Sequence, residues 1–233
     1  MTLILSIETA TPVCSVALAK DNNVLGIKES TKKNSHAEIV TIFIDELLKE
    51  NNVVFGDLDA IAVSKGPGSY TGLRIGVSTA KGMCYALDIP LISVNTLQSL
   101  AFGAAQNIKL EPGLPTLFCP MLDARRMEVY CALFDKNIDE VRETKAEIIE
   151  PVAFQTYLES NKVIFFGDGA AKCKDVIQHP NAVFLDEIFP SATNMMSIAF
   201  DKFQHQQFED VAYFEPFYLK DFIAGVSKVK GLK

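Results

Sequence analysis

Two carboxylates stand at matching places in this chain. Glu8 closes the apolar run Leu3-Ile4-Leu5-Ser6-Ile7, and Asp123 closes the run from Thr116 to Leu122. Each is followed by a short turn and a returning apolar run. Carboxylates on two facing hairpins could hold Mg²⁺ through water while the turns' N–H groups hold nucleotide phosphates. The turns argue otherwise. Thr9-Ala10-Thr11-Pro12 and Ala124-Arg125-Arg126-Met127 contain no Gly, and Pro12 lacks an N–H. A backbone without Gly approaches a phosphate poorly. Nucleotide hydrolysis is therefore disfavoured, and Glu8 and Asp123 are read as turn caps or as a vestigial nucleotide site.

Two Gly-rich corners could also carry chemistry. Gly66-Pro67-Gly68-Ser69-Tyr70-Thr71-Gly72 lies between an apolar run and a helical pattern, where free N–H groups could meet an anion. It is not a P-loop, because Leu73 and Arg74 stand where Lys and Ser or Thr are needed. Gly167-Asp168-Gly169 lacks the third Gly of a dinucleotide fingerprint, since Lys172 occupies that place. His36, His179 and His205 have no partner at ligand spacing, and no G-x-S-x-G elbow is present. The five Cys are odd in number and none are in C-x-x-C spacing, which reads as reduced cytosolic thiols filling core space. No catalytic residue, metal or cofactor is expected.

Gly72, Gly76 and Ala80 recur every four residues, so they stack along one ridge of a helix. Such a ridge lets a second element approach closely, at a cost of about 0.5–1 kcal/mol for each Gly in a helix interior. The element that approaches is either the chain's own sheet or its Ile39–Leu48 helix, or a partner helix.

The frame that must position these residues is an alternating one. Strands are expected over 3–7, 14–19 and 24–29, then a helix to Leu48 capped by Asn34 or Ser35. Ile39, Val40, Phe43, Ile44, Leu47 and Leu48 give that helix its apolar face. A strand over 59–64, a helix over 71–87, a strand over 89–94 and a helix over 96–107 follow. Lys109 to Pro115, with two Pro and a Gly, is the linker. The pattern then restarts: strands over 116–122, 128–134 and 138–144, a short helix opened by Pro151, strands over 162–166 and 182–185, and a helix capped by Ser191. At an offset of 115 residues, Ile7-Glu8 matches Leu122-Asp123 and Ala17-Leu18 matches Ala132-Leu133, which supports a duplication. The division expected is an N-terminal lobe over 1–108, a second lobe over 109–216 and a tail over 217–233.

The 233 residues suffice for two such lobes, and 48% apolar content supports a buried core. With 22 basic residues against 29 acidic ones, the net charge of −7 argues against a stand-alone nucleic-acid binder. No apolar run is long enough to span a membrane. The start, Met1 to Leu5, lacks a basic residue and meets Glu8 quickly, so it reads as a strand and not a signal peptide.

Several of these runs together resemble the bacterial TsaB family, also called YeaZ. They are Ile7-Glu8-Thr9-Ala10-Thr11 with Cys14-Ser15-Val16-Ala17-Leu18, then Ser35-His36-Ala37-Glu38, and above all Lys65-Gly66-Pro67-Gly68-Ser69-Tyr70-Thr71-Gly72-Leu73-Arg74-Ile75-Gly76. Asp123-Ala124-Arg125, Glu128-Val129-Tyr130 and Tyr218-Leu219-Lys220-Asp221 also fit. The resemblance implies an actin-like α/β fold of the sugar-kinase and Hsp70 type, with two βββαβα lobes. It implies a non-catalytic cytoplasmic subunit that supports a TsaD-type transferase in forming threonylcarbamoyladenosine beside the anticodon of tRNA. A TsaE-type ATPase and tRNA would be met through the complex, and the chain would form a homodimer when alone. The helices over 36–48 and 71–87 would face the partner, through His36, Ile39, Val40, Phe43, Leu47, Gly72, Arg74, Gly76 and Ala80. The chain departs from the family in carrying Glu8 where Asp is usual. The paired His of TsaD-type metal sites are missing. An actin-fold ATPase or small-molecule kinase using Glu8 and Asp123 is the alternative, and a metallopeptidase, from the family's old label, a disfavoured third.

Overall fold

The computed structural model describes residues 1–32, 36–109 and 113–220. The caps expected at Asn34 or Ser35, and the tail beyond Lys220, lie outside the described residues. The first lobe is a five-stranded sheet of order β3-β2-β1-β4-β5, formed by β1 (Leu3–Glu8), β2 (Cys14–Lys20), β3 (Asn23–Ser30), β4 (Ala60–Gly66) and β5 (Leu91–Asn95). β1 pairs antiparallel with β2, setting Leu3 opposite Lys20 and Glu8 opposite Ser15, and parallel with β4. Two helices cross over on its outer face, α1 (His36–Glu50) and α2 (Tyr70–Leu87). The Ser69 hydroxyl accepts from the Gly72 N–H at 3.3 Å to start α2, and Asp88, in the left-handed region, ends it. Helix α3 (Thr96–Asn107) begins at Asn95, whose side chain accepts from the N–H groups of Leu97 and Gln98.

The second lobe repeats the topology. Strands β6 (Thr116–Asp123), β7 (Glu128–Phe134), β8 (Glu140–Ile148), β9 (Lys162–Phe166) and β10 (Ala182–Phe184) form a sheet of order β10-β9-β6-β7-β8. Read from the other edge, this is the order of the first sheet, strand for strand. The duplication extends from four matching residues to a whole lobe, and the fold is the two-lobed α/β architecture expected. The helices of the second lobe are reduced to α4 (Gln155–Leu158), a 3₁₀ turn at Ala171–Cys173, and α5 (Ala192–Gln204). Ser191 caps α5 by accepting from the Thr193 N–H, as expected.

Two expected boundaries shift for local reasons. β8 starts at Glu140 and not near Ile138, because Ile138 takes a left-handed φ of 66° while the Asp135 carboxylate accepts from the N–H groups of Asn137 and Asp139. Pro151 opens a turn in which Phe154 has φ 64°, so the helix waits until Gln155.

Strand alternation sends Leu3, Leu5 and Ile7 of β1 to the outer core under α1 and α2, and Ile4 to the inner face. On that inner face the final helices trade sheets. Leu97, Leu100, Ala101 and Ala104 of α3 pack on Phe118, Leu122, Phe134 and Phe166 of the second sheet. Met195 and Ala199 of α5 pack on Ile4, Ala62, Ile92 and Val94 of the first. The crossed pair fixes the lobes against each other and leaves a cleft between the ends of β1 and β6.

Candidate functional site

The turn after β1 sits at the centre of the lobe-to-helix contacts. Glu8 is fully buried. Its Oε1 accepts from the Ala10 N–H at 2.6 Å, and its Oε2 has no partner among the described residues. Burial pushes the Glu8 carboxyl up to about 7, against the Ala10 hydrogen bond and the nearby Ser64 and Thr9 dipoles, which favour the ionised form. The Gly-rich corner lies directly on this turn. The Ser69 N–H donates to the Ala10 carbonyl at 2.7 Å, and the Thr9 hydroxyl donates to the Gly72 carbonyl at 2.8 Å. A Cβ on Gly72 would stand 2.1 Å from the Thr9 oxygen, and one on Gly76 would stand 2.2 Å from Thr9 Oγ1. Thus the glycines serve close packing of α2 on the turn.

Asp123 stands in a different setting. It is half exposed and paired with Lys172, and its backbone N–H donates to Asp168 Oδ1 at 3.0 Å. Burial, opposed by that hydrogen bond and aided by the Asp123 charge, raises the Asp168 carboxyl above its ordinary range. Asp123, Asp168 and Arg125 line the cleft of about 470 Å³ between the lobes, together with Ala10 and Thr11 of the first turn. Glu8 is sealed below that turn. The two carboxylates singled out in the sequence therefore do not form one metal-holding pair. His36, buried at the start of α1, bonds through Nε2 to the Thr11 carbonyl at 2.8 Å and so ties α1 to the same turn. All five thiols are buried; burial raises Cys14 and Cys173 to about 11 and Cys84 to about 12, which keeps them protonated.

The nine residues expected to face a partner fall into two groups. Val40, Leu47, Gly72, Gly76 and Ala80 are buried within the first lobe, as is His36. The ridge of small residues on α2 thus faces inward, because the Thr9 turn needs the space. Ile39 and Phe43 are half-buried, and Arg74 is exposed with its guanidinium 5.5 Å from the Tyr70 ring centroid. The exposed face of the helix pair holds other residues. Ile42 of α1 is 52% exposed and Tyr85 of α2 is 86% exposed. Ser78, Gly82 and Ala86 are exposed too, and nothing lies within 4 Å of a Cβ built on Gly82.

Comparison with known proteins gives these features a family. Residues 17–228 match the family model described as "TsaD: tRNA N6-adenosine threonylcarbamoyltransferase". A protein of Escherichia coli, "tRNA threonylcarbamoyladenosine biosynthesis protein TsaB", is 30% identical over 227 residues, covering 95% of this chain and 96% of that one. The chain belongs to the TsaB family. The solved structure titled "YeaZ from Pseudomonas aeruginosa" is 27% identical, with a TM-score of 0.79, covering 94% of this chain and all of that one. A Bacillus thuringiensis protein named tRNA N6-adenosine threonylcarbamoyltransferase is 38% identical over 110 residues, 40% of this chain and 32% of that one.

Two features of these surfaces lie outside the site positions singled out in the sequence. The outward row Ser78, Gly82 and Ala86 has the same four-residue spacing as the inward one, so the signal was present in the sequence. The segment that reaches the cleft, Phe217–Lys220, gave no such signal. It lacks periodicity, and only the fold brings it beside Tyr70 and Glu128.

Proposed function

We propose that this chain is a non-catalytic subunit that binds a TsaD-type transferase and supports it in forming threonylcarbamoyladenosine in tRNA. The observation that carries this reading is the end-to-end similarity to a protein named for that biosynthesis. The geometry supports the non-catalytic part, since Glu8 is fully buried and held by the Ala10 N–H beneath the turn. The actin-fold ATPase or kinase reading, built on Glu8 and Asp123, is disfavoured for the same reason. The metallopeptidase reading is disfavoured by His36, whose ring is taken up by the Thr11 carbonyl.

The partner surface is assigned to the outward face of α1 and α2. Ile39, Ile42 and Phe43 supply apolar area on α1, and Tyr85 supplies a ring on α2. Gly82 is the decisive residue. A Gly in an exposed helix interior loses about 0.5–1 kcal/mol relative to Ala with nothing in the free chain to offset it. Close approach of a second helix gives it a purpose. Tyr213 extends the surface, because Lys81 holds its segment against α2 by donating to the Ala212 and Phe214 carbonyls. The same face serves a homodimer when the partner is absent. A TsaE-type ATPase and tRNA are engaged through the complex, in the cytoplasm. Among the described residues no helix is long and apolar enough to cross a membrane.

The test is to deplete the protein and quantify threonylcarbamoyladenosine in digested total tRNA. The level should fall while threonylcarbamoyl-AMP synthesis continues. An unchanged level in cells without a paralogue would refute the assignment.

A further inference from the structure

The end of the described chain runs along the first lobe and then crosses the mouth of the cleft. Its early part is fastened as ordinary structure. The Glu209 N–H donates to the Leu91 carbonyl at 2.9 Å, and its carboxylate accepts from the Ser93 hydroxyl. Val211 and Phe214 pack against the outer core. The next residues are held differently. The Phe217 N–H donates to the Lys65 carbonyl at 2.7 Å, at the end of β4. The Phe217 carbonyl lies 2.9 Å from where a Cβ on Gly66 would stand, and Gly66 has a φ of +107°. A side chain at Gly66 would therefore push the segment away. The Tyr218 ring lies on Tyr70 with centroids 4.8 Å apart. Lys220 reaches the opposite lobe and pairs with Glu128. Phe217, Tyr218, Leu219 and Lys220 all line the cleft.

These contacts are those of a docked extended peptide: a main-chain hydrogen bond, a ring on a ring and a charge on a charge. They are shallow. Tyr218 is 37% exposed and the Lys220 side chain 40%, so the ion pair is open to salt. We propose that the mouth of the cleft between the lobes is a peptide-binding groove that the chain occupies with its own Phe217–Lys220. A linear segment of a partner protein, with an aromatic residue followed two positions later by Lys or Arg, displaces it. Lys65 offers the carbonyl, Tyr70 the ring and Glu128 the carboxylate, and each matches one feature of that segment. The tether through Phe214 gives the native segment an effective concentration in about the millimolar range, which keeps weak competitors out. The proposal stands apart from the transferase reading, since none of its three groove residues was assigned to that surface.

The test uses the full chain with Tyr218→Ala and Lys220→Gln together. This weakens the native segment and leaves Lys65, Tyr70 and Glu128 in place. The probe is a fluorescein-labelled peptide of the sequence from Phe214 to Lys220, followed by polarisation. It should bind the double variant at least about tenfold more tightly than the native chain, because the tethered competitor is gone. Adding Glu128→Gln, or raising the salt, should weaken that binding. Equal binding to both chains, or none to a variant with native circular dichroism and melting temperature, overturns the proposal. If the double variant does not fold, Lys220→Gln alone should still bind the probe about threefold more tightly than the native chain. Failure of that gain overturns the proposal as well.

Discussion

The two faces of α2 carry rows of small residues at the same spacing and serve opposite ends. Gly72 and Gly76 face the Thr9 turn, where an added Cβ collides with the chain's own oxygen atoms, and Ala80 continues the row into the outer core. Ser78, Gly82 and Ala86 face outward, where a Cβ on Gly82 meets nothing. A row of small residues announces close approach without saying what approaches. The phase of the helix decides that, and the phase is set by what must be buried. Leu73, Val77 and Cys84 share the inner side with the inner row, so that side belongs to the core. Both rows cost intrinsic helix stability. The inner one recovers it within the lobe, through the Thr9 and Ser69 hydrogen bonds, and the outer one has no return in the free chain.

The comparison is broken most forcefully from the inside. Gly76→Leu should destabilise the isolated chain by about 3 kcal/mol or more, at the upper end for overpacking a core. At roughly 2–4 °C per kcal/mol for a chain of this size, the melting temperature should fall by about 6–12 °C. A thermal scan that leaves it unchanged would mean the inner row is not packed as described.

The turn beneath the inner row offers a second lever. Folding raises the Glu8 carboxyl from 4.5 to about 7, so the folded chain keeps a proton that the unfolded chain releases earlier. The protonated form's contribution is fully present below pH 4.5 and is lost as pH rises through 7. The total is up to about 3 kcal/mol, from the linkage of about 1.4 kcal/mol per unit. Glu8→Gln should flatten the dependence of stability on pH between 5 and 7, and should exceed the native chain at pH 8. Denaturant midpoints at pH 5 and pH 8 check this. Parallel curves for the two chains would remove Glu8 from the account.

A smaller effect sharpens the outer side. Tyr85→Ala should leave the melting temperature of the free chain nearly unchanged, because its ring is 86% exposed. It should weaken binding to the transferase by about 1 kcal/mol or more, the threshold for an interface anchor. Isothermal titration with the purified transferase reads both the affinity and the stoichiometry.

Much of the architecture was legible because it is written in periodicity. The apolar runs of β1 and β2, the helical face of α1 and the cap at Ser191 all follow from local patterns. The repeat of strand order in the second lobe was foreshadowed by Ile7-Glu8 and Leu122-Asp123. What escaped was long-range. No local pattern says that α3 covers the second sheet and α5 the first, since either sheet offers an apolar inner face. Likewise Glu8 and Asp123 look equivalent in sequence, yet one is sealed under the Gly-rich corner and the other opens on the cleft. The second lobe has only Ala171–Cys173 where the first has α2, so no comparable helix is laid over the Asp123 turn. At Gly72, Gly76 and Ala80 helix phase mattered: α2 carries two rows of small residues at the same spacing, and no local pattern says that this row is the buried one.

The central claim is that the outer face of α2 holds the transferase while the inner face holds the lobe. Gly82→Leu tests it most directly, with stability and affinity measured on the same purified variant. The melting temperature of the free chain should stay level or rise slightly, since replacing an exposed helical Gly contributes about 0.5–1 kcal/mol. Affinity for the TsaD-type transferase should fall by roughly five- to a hundredfold, the equivalent of about 1–3 kcal/mol of overpacking at a helix contact. Full affinity in Gly82→Leu, or a loss of affinity in Gly76→Leu without loss of stability, would contradict the assignment of the two faces.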